Sequence, residues 1–329
     1  MTLIDEHRPT TETAAITTRT RAARWWTAPM SAKAGPTFGS DRLKLGLFLV
    51  PMLVVFVVLF LIPLVQSIWW SFTDFNGYST DAAFVGLRNY ENVFTDPSML
   101  AGLGFTLLFT LSTTVLITAL AIPLAVILDR AFLGRNFVRA ITFFPAIPSV
   151  AILGLVWGFI LNPLGSGALN SLLQSVAGIG PVPWLSNSTL AQLSVIGVAV
   201  WTSTGWHAIL YLAYLQSIPD DYYEVARIDG ASAVQRFRYI TLPLLMPAMT
   251  VSWLLLMTGG LKVYDLPITL TKGGPGFSTF TITQTIIQNG VSQAKYGQAS
   301  ALAVIFMLAI GAIVAAQLIV SRRLEGRLS

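Results

Sequence analysis

Leu45–Ile68 reads "LGLFLVPMLVVFVVLFLIPLVQSI", twenty-four residues without one charge. At about 1.5 Å of rise per residue, a helix of that length crosses the roughly 30 Å hydrocarbon layer of a bilayer. A surface helix of a soluble protein carries a polar face, and this run has none. The whole chain agrees: 54% of its residues are hydrophobic and 11% charged, with a mean hydropathy of +0.69. Soluble domains carry about 25% charged residues. The chain reads as an all-α integral membrane protein.

Working outward, five more segments are long and apolar enough to cross: Leu103–Leu128, Ala140–Leu161, Gln192–Leu215, Leu244–Leu261 and Ala299–Val320. Six transmembrane helices are therefore expected. The fifth is the shortest, and its far end, "MTGGLKVYDLPITL" (Met257–Leu270), mixes glycines, a lysine and an aspartate into the run. Polar structure at that depth survives only against protein or a water-filled path. Pro51, Pro63, Pro123, Pro145 and Pro148 predict kinks.

Lysine and arginine set the orientation. Of the twenty, sixteen fall before the first span, in Arg130–Arg139, in Glu224–Pro247 and in the C-terminal "SRRLEGRLS"; Arg88, Lys262, Lys272 and Lys295 make up the opposite side. By the positive-inside rule both termini are expected to be cytoplasmic. The organisation is then a basic tail over residues 1–44, a six-span domain over 45–321 with a cytoplasmic loop at 217–243, and a short tail over 322–329. Within the first tail, "RTRAARWW" (Arg19–Trp26) suits either the inner membrane surface or a solvated, topology-fixing role. No cleavable signal peptide is expected, because the first span is too long and lacks an A-x-A-like exit. The net charge of +5 reports topology, with nothing further to suggest nucleic acid. With no cysteine and only His7 and His207, neither thiolate nor histidine metal chemistry is indicated. "NST" at Asn187 matches a glycosylation acceptor only formally.

The stretch "EVARIDGASAVQRFRYITLPLLMP" (Glu224–Pro247) is charged where its neighbours are greasy. "SIPDD" before it ends the fourth span, and Asp221 at a helix cap would place Glu224 near a capping-box position. Gly230 suits a left-handed helix end. A second short helix is expected to about Tyr239, with Arg236 and Arg238 towards water, Thr241 capping the fifth span and Pro243 in its first turn. Asp229 could cap that second helix.

The pattern E-x-A-x3-G-x9-I-x-L-P, carried by Glu224, Ala226, Gly230, Ile240, Leu242 and Pro243, resembles the EAA loop of bacterial ATP-binding-cassette importer permeases. Val225 stands where that family usually has alanine. "FVGLRNYENVFTD" (Phe84–Asp96), "IDGASAVQRF" and "LTKGGPGFSTFT" (Leu270–Thr281) are similar to its carbohydrate-uptake branch. The resemblance implies a permease subunit of an ATP-driven di- or oligosaccharide importer in the bacterial inner membrane. It implies a second permease subunit, two cytoplasmic ATPase subunits and an extracytoplasmic sugar-binding protein as partners. It also implies that the loop docks on the ATPase, with Glu224 meeting a basic residue and Asp229 as a secondary site.

No enzymatic activity is expected of this chain. It has no G-x4-G-K-[ST] phosphate loop, so no cofactor is assigned to it, and ATP with Mg belongs to the partner ATPase. "TKGGPG" reads as a turn. For the sugar, "VWTSTGWHAILY" in the fourth span offers aromatic and hydroxyl groups, Trp201, Thr202, Ser203 and Trp206. By resemblance to maltose permeases, the contact level falls at Thr202, Ser203 and Trp206, and on the fifth span at Gly259, Gly260 and Val263. Either the substrate differs or the partner permease holds most of the sugar. Trp201 and Trp206 suit helix packing or the membrane interface equally well, and His207 suits a hydrogen bond inside the bundle. Lys262 and Asp265 suit mutual pairing or snorkelling. A glycerol-phosphate importer would want more cations near the cavity than Lys262. An ion-coupled secondary transporter would want a carboxylate in the bundle, and the first four spans have none.

Overall fold

A computed structural model of the chain describes residues 40–325 except 80, 165 and 166. The Arg19–Trp26 reading and the last four residues lie outside the described residues. Four helices are long and apolar enough to cross a membrane: Gly46–Trp70, Pro97–Asp129, Ser188–Leu215 and Tyr296–Ser321. Two helix pairs meet the same test only together, Arg135–Ala146 with Val150–Ile160 and Ala233–Leu244 with Met246–Leu261. Counting each pair as one crossing gives the expected six. Among the described residues the only β pairing is an isolated bridge between Thr73 and Phe84.

Contacts divide the chain into two units, Met1–Leu61 and Ile62–Ser329. In the first, α1 (Ser40–Phe56) runs into a π turn at Val57–Leu61, where Phe56 and Phe60 stack at 5.9 Å. Every residue from Gly46 to Leu61 is exposed.

The second unit opens with α2 (Ile62–Trp70), α3 (Arg88–Thr95) and α4 (Pro97–Asp129). Next come α5 (Arg135–Phe143), α6 (Val150–Ile160), α7 (Ala168–Ala177) and α8 (Ser188–Leu215). Beyond them lie α9 (Asp221–Ile228), α10 (Ala233–Arg236), α11 (Leu242–Leu244) and α12 (Met246–Leu261). The chain ends with α13 (Asp265–Leu270), α14 (Ile282–Ile287) and α15 (Tyr296–Glu325). The main core joins α4, α8 and α12 through residues such as Ile117, Ala121, Val195, Tyr211, Ala248 and Leu256. A smaller cluster, including Val93, Met99, Leu261, Ile282 and Leu302, packs the beginning of α4 against α15.

Helix starts are set by short polar side chains. The Asp96 carboxylate accepts from Ser98 N–H (2.8 Å), Ser98 Oγ (2.6 Å) and Met99 N–H (3.4 Å), with Pro97 supplying the first helical position of α4. Asn187 caps α8 by accepting from Thr189 N–H and Leu190 N–H, both at 3.1 Å. The formal glycosylation triplet is thus a helix cap. Within α4, Thr110, Thr113 and Thr118 donate to carbonyls of their own helix, which satisfies hydroxyls buried at membrane depth. Close packing needs Gly205 in α8, where an added Cβ would strike the Thr142 carbonyl.

Two expected spans are corrected. Ala140–Leu161 is not continuous: where Pro145 and Pro148 predict a kink it turns by 93° between α5 and α6. Pro145 and Pro148 cannot donate to the preceding turn, and the chain passes through a 3-10 turn at Phe144–Ala146 before Ser149 restarts it with ψ 134. The fifth span does not begin at a Thr241 cap. The helix from Ala233 continues through a π turn (Phe237–Thr241) to Leu244 and bends 64° before α12. Ser232 and Gln235 form a capping box at its start, and no breaker intervenes until Pro243 and Pro247 remove two donors around Leu245.

Lys262 follows the end of α12 and Asp265 opens α13, each exposed and each at the helix end its charge favours. "TKGGPG" is a turn, with Lys272, Gly273 and Gly276 at positive φ and Thr271 Oγ1 2.7 Å from Thr279 Oγ1. Gln192 Nε2 anchors it from α8 by donating to Ser278 O at 2.7 Å.

Candidate functional site

The loop between α8 and α12 is a helical hairpin. Residue Gly230 has φ +79, and the end of α9 closes with Gly230 N–H on Arg227 O (3.1 Å) and Ala231 N–H on Ala226 O (2.8 Å). This is the paired carbonyl capping of a Schellman end, for which a left-handed glycine is suited. Expected capping by Asp221 and Glu224 is not made. The cap position falls one residue earlier, at Asp220, whose carbonyl accepts from Tyr223 N–H and Glu224 N–H, and Asp220 makes no side-chain cap. Glu224 is therefore one position beyond the capping-box register, and its side chain is exposed. Asp229 ends α9, while Ser232 caps the following helix. Arg236 is turned back rather than outward, with Nη1 donating to Ala231 O at 2.6 Å.

The outer surface of this hairpin is apolar for a loop: Tyr222, Val225, Ile228, Val234 and Tyr239 are all more than half exposed. Ala226, Asp229 and Ile240 line one shallow groove with Tyr222 and Val225. Leu242 packs on the main core, and Pro243 sits just before the bend at Leu245. On the hairpin's other side, a basin of about 500 Å³ brings Asp129 and Arg130 from the end of α4 to Asp220, Arg227 and Arg236.

The second feature is a cavity of about 320 Å³ between α4, α8 and α12. Of the residues singled out in sequence, Thr202, Ser203, Gly259, Gly260 and Val263 meet on its wall. Trp201 and Trp206 do not line it. Trp201 sits edge-on to Trp157 at 5.4 Å, and Trp206 sits edge-on to His207 at 4.8 Å, each tryptophan at least 40% exposed. His207 lines the cavity while its Nδ1 lies 2.8 Å from Ser252 Oγ, as expected of a hydrogen bond within the bundle. Gly260 packs against Thr110, whereas Gly259 faces open space and widens the cavity. Sequence reading missed the α4 wall of Phe109, Thr113 and Ile117. The signal was present in the hydroxyls of Thr106, Thr110, Ser112, Thr113, Thr114 and Thr118, dense for a helix at membrane depth.

A cavity among the helices and an exposed helical hairpin are joined by α8 and α12. The chain belongs to the family of binding-protein-dependent transport system inner membrane components, whose model matches residues 117–326. It is 32% identical over 279 residues to the probable starch degradation products transport system permease protein AmyD of Thermoanaerobacterium thermosulfurigenes, covering 85% of this chain and 94% of that one. It is 36% identical over 264 residues to the trehalose/maltose transport system permease protein MalF of Thermococcus litoralis, covering 80% and 88%. Its fold matches a chain of a bacterial ABC transporter that imports the acidic polysaccharide alginate, with a TM-score of 0.75 at 22% identity, over 86% and 96% of the two chains.

Proposed function

We propose that this chain is the permease subunit of an ATP-driven importer of di- or oligosaccharides. It forms half of the path with a second permease subunit. Two cytoplasmic ATPase subunits bind ATP and Mg, and an external binding protein delivers the sugar. The observation that carries this reading is that α8 enters the hairpin directly from the cavity and α12 leaves it directly towards the cavity. A movement imposed on the hairpin therefore acts on two of the helices that line the cavity. Closure of the ATPases would bias the cavity between inward- and outward-facing states. The names of the relatives, which include starch products, multiple sugars, trehalose/maltose and diacetylchitobiose, support the substrate class.

The hairpin and both termini are assigned to the cytoplasm, in a bacterial inner membrane. Charge asymmetry supports this, as does the basin where basic residues from α4 and from the hairpin, assigned separately to one side, meet. Glu224 and Asp229 are proposed to face the ATPase with Ala226, Gly230 and Ile240, while Leu242 and Pro243 pass the movement to α12. Thr202, Ser203, Gly259, Gly260 and Val263 are proposed to line the sugar path, with Trp201 and Trp206 at its periphery.

The test is uptake of radiolabelled di- and oligosaccharides by vesicles holding the assembled complex, with its binding protein outside and ATP inside. ATP-dependent accumulation of at least one sugar is expected. ATP-independent uptake driven by an imposed proton or sodium gradient would overturn the reading in favour of a secondary transporter.

A further inference from the structure

Few side chains on the cavity wall can donate a hydrogen bond, the Ser203 hydroxyl being one of them. The Thr113 and Thr202 hydroxyls on its wall donate to Phe109 O (2.7 Å) and Val198 O (2.8 Å) of their own helices, which leaves each of them only lone pairs to offer. Much of the remaining lining is apolar side chain. His207 is 5% exposed, borders the cavity, and has Nδ1 engaged by Ser252, itself fully buried. Among the described residues its Nε2 has no hydrogen-bond partner, and it is not sealed inside the protein. A nine-tenths-buried imidazole with one nitrogen committed and the other at a cavity wall is a group positioned for a ligand.

The ring is also held where it is. Ser252 ties α12 to α8 through His207, while Trp253 Nε1 on the neighbouring residue donates to Thr118 Oγ1 at 3.0 Å and ties α12 to α4. Thr118 gives its own proton to Thr114 O (2.7 Å), which fixes the direction of that second contact. Trp206 closes the remaining side of the imidazole edge-on. With Nδ1 engaged by Ser252, Nε2 is the ring nitrogen left to exchange a hydrogen bond with a ligand, as donor or acceptor according to the tautomer.

We infer that His207 is a specificity-determining residue for the transported solute, exchanging a hydrogen bond between Nε2 and a hydroxyl of a sugar, with Ser252 as the positioning residue that holds the ring. This rests on the reading of the chain as a sugar permease. Its consequence is chemical: a sugar lacking the matching oxygen leaves the imidazole unpaired in a dry wall, which discriminates strongly against it.

The experiment uses the assembled complex in vesicles with maltose, trehalose and diacetylchitobiose as probes, each with its monodeoxy derivatives. For a transported probe, the wild type should take up one monodeoxy derivative at least about tenfold less well than the parent sugar. His207→Leu should slow the parent to the level of that derivative and abolish the discrimination. His207→Gln, whose amide offers both a donor and an acceptor, should recover part of it. Ser252→Ala should weaken discrimination and Ser252→Thr should restore it. Undiminished discrimination by His207→Leu at equal membrane abundance would overturn the inference and leave the permease reading standing. Parallel loss of abundance in His207→Leu and His207→Gln, with the discrimination of the surviving protein intact, would reduce His207 to a structural role. A wild-type complex that accumulates none of the three probes would remove the sugar-permease reading and the inference together.

Discussion

The Tyr223 hydroxyl lies 3.1 Å from Thr241 Oγ1, joining the first helix of the hairpin to the π turn that precedes α11 and α12. Thr241 is buried and both residues border the charged basin, so the contact is a latch between the hairpin and the body of the helices. Tyr223→Phe removes a hydrogen bond worth about 1 kcal/mol and leaves the ring in place. The expected outcome is normal membrane abundance with fewer sugars moved per ATP hydrolysed. Parallel measurement of uptake and ATPase rate in vesicles checks it, and an unchanged ratio would show that the latch carries no movement.

Glu224 is exposed and outside the capping register, so its removal should leave the fold intact. If Glu224 meets a basic residue of the ATPase as proposed, transport should nevertheless fall sharply in Glu224→Ala, because truncating one partner of a charged pair buried at an interface costs roughly 2–5 kcal/mol. A charge swap introduced together with its complement in the ATPase cleft should recover part of the loss. Uptake normalised to membrane abundance is the measurement, and wild-type coupled uptake by Glu224→Ala would show that its charge does not serve the subunit contact.

Gly205 lies where α8 meets the α5 backbone at Thr142. Gly205→Val forces the two helices apart, at a cost typical of overpacking, about 1–3 kcal/mol. Reduced membrane abundance and a lowered melting temperature of the purified complex are expected. An unshifted melting temperature would mean that α5 moves away freely.

Asp96 caps α4, with hydrogen bonds that favour its charged form. Although burial opposes the charge, the bonds from the Ser98 side chain and the Ser98 and Met99 N–H groups, together with the Lys295 charge, hold its carboxyl below the usual carboxylate range. A depressed folded-state value means that the unfolded chain takes up the proton first as the pH falls. The cap's contribution, about 1 kcal/mol, is therefore full above the unfolded value near 4 and is lost as pH falls through the folded one. Asp96→Ala should show a constant stability deficit at neutral pH that narrows in acid. Paired thermal melts across that range check the sign, and a gap that widens in acid would contradict it.

Much of the architecture was readable because its causes are local. An uncharged run such as Leu45–Ile68 has one stable environment, and prolines at 145, 148, 243 and 247 leave carbonyls unpaired wherever a helix runs through them. The left-handed end at Gly230 follows from residue chemistry in the same way. Exact breaks were less legible. The register of α9 depended on which carbonyl, that of Asp220 or Asp221, accepted first, and the helix from Ala233 ran through Thr241 because Ser232 had already supplied a cap.

The sequence by itself determined that the chain lives in a membrane, how often it can cross, where its positive charge gathers and which loop is a helical hairpin. These follow from hydropathy, length and the φ preferences of single residues. Only the tertiary structure decided which face of α8 turns inward. That helix is apolar nearly all round, so no periodicity separates Thr202, Ser203 and His207, which border the cavity, from Trp201 and Trp206, which do not. Their separation is produced by the closeness of Gly205 to α5 and by the Ser252 contact from α12, interactions between residues far apart in the chain.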